Sequence, residues 1–311
     1  MTTSFKFTLG RGSVVTGKWK GKQYRIERML GEGANGKVFL VQRDKVWYAL
    51  KAGADAVDLQ SEINVLQSLD LQRRMKRPDT EPFLVDVDDL LMPDGQEFPF
   101  YVMRYVRGVT LSDYLAREGP EWFPLVGYNL LRKLSELHEA GWSFGDLKVE
   151  NVLVAEYGRV ELVDYGGVTG FGKGVRQFTE IYDRGYWNAG KRMADSGYDL
   201  FSFAVLCIQL QDSKRLLQLT HQLLPQNRSP EELLRLAQLQ PALRPFMGWL
   251  SDAMAGRFAN AREAAASWQR LVSRSGTMKS SPPVPGWMKG LFMLSAGVAG
   301  AAIIWLLWLE W

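Results

Sequence analysis

Residues 142–154 read WSFGDLKVENVLV, and within them Asp146 is followed by Lys148 two places on and Asn151 five places on. A carboxylate can take a proton, an ammonium can offset negative charge, and a carboxamide oxygen can ligate a hard cation. Phosphoryl transfer asks a protein for such groups, because its catalysis is mostly positioning and electrostatics. The neighbouring residues set the fold around them. NVLVA and VELVD read as two short strands about a Tyr157–Gly158 turn, and VDYGG at 163–167 puts a second carboxylate, Asp164, directly after the second strand. Asn151 and Asp164 together would offer oxygen ligands to Mg2+, or to Mn2+, and leave coordination positions for phosphates.

Upstream, residues 24–51 (YRIERMLGEGANGKVFLVQRDKVWYALK) read as strand, glycine-rich turn, strand, short polar turn and strand. GEGANG at 31–36 is a G-x-G-x-x-G, a pattern shared with dinucleotide folds. A dinucleotide loop opens a helix, whereas this one runs into the strand Val38-Phe39-Leu40-Val41. A strand-turn-strand flap can lay its N–H groups over the phosphates of ATP, and glycines let the chain approach. Lys51 ends the next strand, where it could hold phosphates. Glu62 lies on a helix over 55–69, whose Leu59, Ile63, Leu66 and Leu69 fall close to one face. Taken singly, Lys51 and Glu62 are more naturally solvated surface charges; their order after a glycine flap favours an ion pair. The Pro- and Asp-rich stretch 77–99 reads as a loop and FYVMRYV as a buried strand. Beyond Gly108 the pattern is helical over 111–118, 124–140 and 198–272, with a glycine-rich segment at 166–174.

On GEGANGKV, YALK, SEINVL, FYVMRYV, LHEAGWSFGDLKVEN and DYGG, in that order, the chain from about 24 to 272 resembles the eukaryotic-like Ser/Thr protein kinases. The resemblance implies an α+β fold of two lobes, strand-rich then helical, that uses ATP and Mg2+ on protein Ser and Thr hydroxyls. It also implies roles. Gly31, Gly33 and Gly36 would cover the phosphates, and Val38 and Ala49 would sandwich the adenine. Met103 would be the gatekeeper, and the backbone at Arg104 and Val106 would bond the adenine edge. Lys51 and Glu62 would form the phosphate-holding pair, with Asp146 as base and Lys148 beside it. Asn151 and Asp164 would ligate metal, and Asp199 in YDLF would brace the catalytic loop. More narrowly, FGDLK, TEIYDRGYW and an apolar C-terminus are similar to the YabT-type kinases of spore-forming bacteria. The departures are specific. The family's loop is H-R-D-L-x-x-x-N, and Phe144 and Gly145 stand where His and Arg would be. The usual clamp on a phosphorylated activation loop is therefore absent, and Phe144 with Tyr165 would fill the volume as an aromatic pair. RGYWNAG at 184–190 has no Glu where the family's Ala-Pro-Glu falls, which leaves Arg257 without its usual partner. Thr169 and Thr179 are hydroxyls open to phosphorylation, and Thr179 could instead contact the base and set hydroxyl specificity.

The 311 residues can hold two lobes, with 46% hydrophobic and 23% charged residues, which excludes overall disorder. A net charge of +4 allows contact with DNA or anionic lipid but is far from the basic stripe of a dedicated nucleic-acid binder. The single cysteine, Cys207, sits in an apolar run and reads as core. MTTSFKFTLGRG at 1–12 has no apolar h-region, so no cleavable signal peptide is expected. The expected organisation is an N-terminal extension (1–23), N-lobe (24–103), hinge and C-lobe (104–272), Ser/Pro/Gly linker (273–289) and transmembrane helix (290–309). That last stretch has neither charge nor proline, and about 20 helical residues cover a bilayer core. Small residues within it would let two copies pair as a homodimer. Two other classes compete: small-molecule phosphotransferases with His-Gly-Asp, towards which Gly145-Asp146 leans, and a catalytically silent membrane scaffold.

Overall fold

The computed structural model describes residues 9–274 except 34, 35, 54, 77, 80, 93, 94 and 177, together with 293 and 295. Residues 1–271 form one compact unit and 272–311 a second.

The first unit opens with a six-stranded antiparallel sheet in the order β1-β2-β3-β4-β6-β5. Its strands are β1 (Val14–Thr16), β2 (Gln23–Gly33), β3 (Gly36–Arg43), β4 (Val46–Ala52), β5 (Leu84–Leu91) and β6 (Glu97–Arg104). Alternate residues along each strand share a face, so the pairs Phe39/Val41, Leu50/Ala52 and Phe100/Val102 meet in one buried cluster with Tyr24 and Ile26. Helix α1 (Ala56–Lys76) packs on β5 and β6 through Leu59, Ile63, Leu66 and Leu69. It runs past the expected end at 69, with Arg73, Arg74 and Lys76 in its last turn, where cations favour the helix dipole.

One expectation is corrected here. The stretch read as a loop at 77–99 contains β5, and its acidic look misled: Asp86 and Asp88 are buried. Asp86 takes Lys20 Nζ at 2.8 Å, Lys22 Nζ at 3.1 Å and the Tyr24 hydroxyl at 2.8 Å, while Asp88 accepts the N–H groups of Trp19 and Lys20. All of these donors but Tyr24 come from the expected N-terminal extension, residues 1–23, which also supplies β1 to the sheet edge.

The helical part follows. It comprises β7 (Val109–Thr110), α2 (Leu111–Glu118), α3 (Phe123–Glu139), β8 (Trp142–Ser143), β9 (Val152–Ala155), β10 (Arg159–Leu162), β11 (Thr169–Gly170), α4 (Ser196–Gln222), α5 (Pro230–Gln238), α6 (Met247–Met254) and α7 (Ala261–Arg274). Strands β10, β9 and β7 form one small sheet, β11 and β8 another. The helices expected over about 198–272 are α4 to α7, and α4 is itself kinked at Asp212. Phe246 stacks on Trp268 at 4.1 Å, with Phe123, Phe203 and Trp249 edge-on around them. Gly127 of α3 permits that block, since a Cβ there would lie 2.8 Å from the Trp268 ring. Among the described residues no helix is long and apolar enough to cross a membrane. The expected span 290–309 lies outside the described residues apart from Met293 and Ser295, as does most of the linker.

Candidate active site

Strand register brings the first group of predicted residues together. In β4, Lys51 pairs with Val38 of β3 on one side and Tyr101 of β6 on the other. Its Nζ lies 2.8 Å from both Glu62 carboxylate oxygens and 2.9 Å from Asp164 Oδ1. Lys51 and Glu62 are 4% and 2% exposed. Burial works against the Lys51 charge, but Glu62 and Asp164 outweigh it and raise its pKa. Burial likewise opposes ionisation of Asp164, and the Lys51 ammonium overcomes it, holding the carboxyl below the usual range. Asp164 has φ of 63°, a left-handed conformation that non-glycine residues rarely adopt and that recurs at functional sites. Tyr101 was not foreseen: its hydroxyl donates to Glu62 Oε2 at 2.8 Å, and burial first, Glu62 second, push its pKa well up so that it stays a donor. The strand FYVMRYV was legible, but which of its side chains faced Glu62 depended on register with β4.

The second group is the loop between β8 and β9. Asp146 Oδ2 meets Lys148 Nζ at 2.6 Å and Asp146 Oδ1 accepts the Thr179 hydroxyl at 2.9 Å. Asn151 Nδ2 donates to the Asp146 carbonyl at 2.9 Å. Behind the loop, buried Asp199 of α4 accepts four donors: the N–H groups of Phe144 (2.7 Å) and Gly145 (2.9 Å), the Ser143 hydroxyl (3.0 Å) and His138 Nε2 (2.8 Å). His138, from α3, was another unforeseen member. Phe144 and Tyr165 pack edge to face at 6.0 Å. Gly145 has φ of +80°, and a Cβ there would lie 2.5 Å from the Gly167 carbonyl oxygen. The close approach of the segment after β10 accounts for glycine where an arginine was expected.

The glycine flap lies over the other end of β3. Gly31 pairs with Val38 and Gly33 with Gly36; a Cβ at Gly31 or Gly33 would meet nothing, whereas one at Gly36 would strike the Ala52 carbonyl oxygen at 2.2 Å. Gly36 is thus needed for chain packing, and Gly31 and Gly33 leave the flap bare. Ala49 is buried opposite Leu40, and Met103 is buried opposite Ala49. Arg104 ends β6 with its N–H donated to the Phe83 carbonyl at 2.9 Å, so only its carbonyl remains for an adenine edge. Val106 follows as half-buried hinge.

The donor set suits Mg-ATP. Asn151 holds its amide on the Asp146 carbonyl, which leaves its carboxamide oxygen available to a cation. Among the described residues no three His, Cys, Asp or Glu side chains gather to hold a metal. A divalent ion held by two protein oxygens needs phosphate oxygens to complete its shell, as Mg2+ with ATP does.

The segment from 169 to 195 corrects one expectation. Thr169 is buried, with its hydroxyl donated to the Gly167 carbonyl at 3.0 Å, so it is not open to phosphorylation in this conformation. Closure of the segment rests on Asp183, 0% exposed, which accepts the N–H groups of Gly185 and Tyr186, the Tyr198 hydroxyl and Arg192 Nε. Arg184 adds a two-point pair to Asp195. Arg257 pairs instead with its neighbour Asp252 at 2.6 Å. Nothing in the side chains of TEIYDRGYW marks Asp183 as buried; its side-chain partners lie 9 and 15 residues downstream.

A protein kinase domain model matches residues 24–254. The chain is 34% identical over 286 residues to serine/threonine-protein kinase YabT of Bacillus subtilis (strain 168), covering 90% of this chain and 82% of that one. Among solved structures, vaccinia related kinase 3 superposes with a TM-score of 0.65 at 18% identity, covering 88% of this chain and 94% of that one. The PknI kinase domain of Mycobacterium tuberculosis gives 0.57 at 23% identity, covering 86% and 100%. At those identities the two structures show likeness of fold.

Proposed function

The chain belongs to the protein kinase family and is a serine/threonine protein kinase, and on that premise we propose that its two residue groups form a complete Mg-ATP phosphotransfer site. The observation that carries this is the contact of buried Lys51 with both buried Glu62 and half-exposed Asp164, which joins strand, helix and the turn after β10 in one network that opens to the cleft. Mg-ATP, when bound, supplies the phosphoryl group and the cation that neutralises its charge. Glu62, itself held by Tyr101, fixes the Lys51 ammonium where it can bind α- and β-phosphate oxygens. Asp146, held through Oδ1 by Thr179 and through Oδ2 by Lys148, orients a Ser or Thr hydroxyl and accepts its proton. Lys148 then offsets charge on the moving group. The contact of Thr179 with the base favours protein hydroxyl acceptors over small molecules.

Asp146→Asn should lower phosphotransfer to a generic protein substrate by about 10²–10⁴-fold, the range for loss of a positioned base. Nucleotide binding should persist, because Asp146 does not touch the adenine; Lys51→Ala should be inactive too. Wild-type protein that binds Mg-ATP yet labels neither itself nor any substrate would return the scaffold alternative.

The apolar stretch 290–309 supports a C-terminal membrane anchor, and Lys279 and Lys289 before it support lobes on the cytoplasmic side, where ATP is. Cysteine labelling, from outside the cell, of a tag added after Trp311 tests that orientation. Labelling confined to the inner face would overturn it.

A further inference from the structure

An open groove with about 580 Å³ of space lies away from the Lys51–Asp164 cleft, bordered by α1, α3 and α7 with contributions from Glu81, Arg104 and Glu161. Its size falls in the range of small-molecule sites, about 300–1,000 Å³. Six basic and four acidic side chains line it, an excess of two positive charges. Three of the carboxylates are already engaged. Glu136 faces Arg73 at 3.7 Å, Glu139 takes Lys76 at 2.5 Å and also Arg262, and Glu161 takes Lys133 at 3.0 Å. Arg104 and Arg132 are different: among the described residues neither guanidinium has a hydrogen bond or ion pair, and Arg104 merely overlies the Phe83 ring. Tyr128 and Gln72 add side chains that can donate, with buried Ala265 and exposed Ala266 on the α7 wall.

We propose that this groove is a second binding site, for a small organic phosphate monoester. Its dianion matches the excess charge, and planar guanidinium forks bind phosphate oxygens in pairs. The volume beyond the phosphate takes a short polar body against Tyr128, Gln72 and the alanines of α7. The site reaches the reaction by two routes. Arg73 and Lys76 belong to α1, the helix that carries Glu62, and Arg104 ends β6, where its carbonyl borders the hinge. A bound monoester ties α1 to α3 and so holds Glu62 on Lys51, which lowers the ATP concentration needed for half-maximal rate. This goes beyond the proposed phosphotransfer reaction, and the binding arm of its test does not depend on that reaction.

The test uses the full-length chain in detergent, with the cleft filled by Mg-AMP-PNP so that the probe cannot enter it. Glycerol 3-phosphate is titrated calorimetrically at constant ionic strength, with glycerol and inorganic phosphate as comparisons. The expected order is glycerol 3-phosphate tighter than inorganic phosphate, with no binding of glycerol. Arg132→Glu should weaken the monoester by at least about tenfold, as for loss of a charged hydrogen bond. Ala266→Trp, which fills the groove without touching its charges, should abolish the heat. No binding to the wild type, or binding that both variants leave unchanged, overturns the site. In the absence of AMP-PNP, the probe should lower KM for ATP in the wild type and not in Ala266→Trp; equal KM with and without probe overturns the coupling through α1.

Discussion

An arginine cannot stand at position 145 while the Gly167 carbonyl occupies the place of its Cβ and φ is +80°. Gly145→Ala should therefore lower thermal stability by at least about 1–2 kcal/mol, the cost of a left-handed non-glycine residue, read as a fall in Tm. Gly145→Arg should fall further and gain no dependence on phosphorylation. A stabilised Gly145→Ala would mean that the turn relaxes freely. The contrast with Lys51, Glu62, Asp146 and Asp164 shows which residues spacing can report. Those four lie in short strings whose order is itself the signal, and the structure brings them within hydrogen-bond reach of one another or of their loop partners. Tyr101, His138 and Asp183 carry no such string. A tyrosine on a strand or an aspartate in a loop looks the same in sequence whether it is solvated or holds a buried network, until the partner element is known.

Strand β5 was hidden by its own charges. Asp86 and Asp88 lie on its buried face, and alternation of hydrophobic with polar residues therefore failed as a guide. The N-terminal residues Lys20, Lys22 and Tyr24 resolve the burial, so β1, its turn and β5 make sense only as one unit. Burial opposes ionisation of Asp86, but hydrogen bonds from Lys20, Tyr24 and Lys22 outweigh it and hold its folded-state pKa below the ordinary carboxylate value. Its stabilisation is then complete above about pH 4, the unfolded value, and is lost as pH falls through the lower folded one. Asp86→Asn should lower stability near neutrality by about 1–3 kcal/mol and flatten the acid limb of stability against pH. Urea unfolding at a series of pH values measures both, and an acid limb as steep as the wild type's would place the acid sensitivity elsewhere. Helices α2 and α3 were legible to within a residue because their leucines recur at 3.6-residue spacing. The breaks among α4 to α7 were not, since apolar content there is nearly continuous.

The two-lobed architecture was legible because its landmarks are ordered along the chain, whereas the groove behind α1 was not, being made by helices far apart in sequence. Confinement of two lobes to one bilayer raises their local concentration. The proposed anchor therefore predicts faster autophosphorylation of the full chain in bilayers than of a chain ending at Lys289, at equal bulk concentration. An active copy should label an Asp146→Asn copy; labelling of the active copy alone would mean that transfer stays within one chain. The brace at Asp199 has a consequence in time. Two of its four donors are main-chain amides of the loop that carries Asp146, and the acceptor sits at 0% exposure within α4. In deuterated water those two amides can exchange only when the helical core opens, so their rates should approach that of global unfolding. Those at Gly31 and Gly33, on an exposed flap, should exchange orders of magnitude sooner. One wall of the cleft would then keep a memory of its protons over hours while the other forgets within the lifetime of a single opening, and Asp199→Asn should erase the difference.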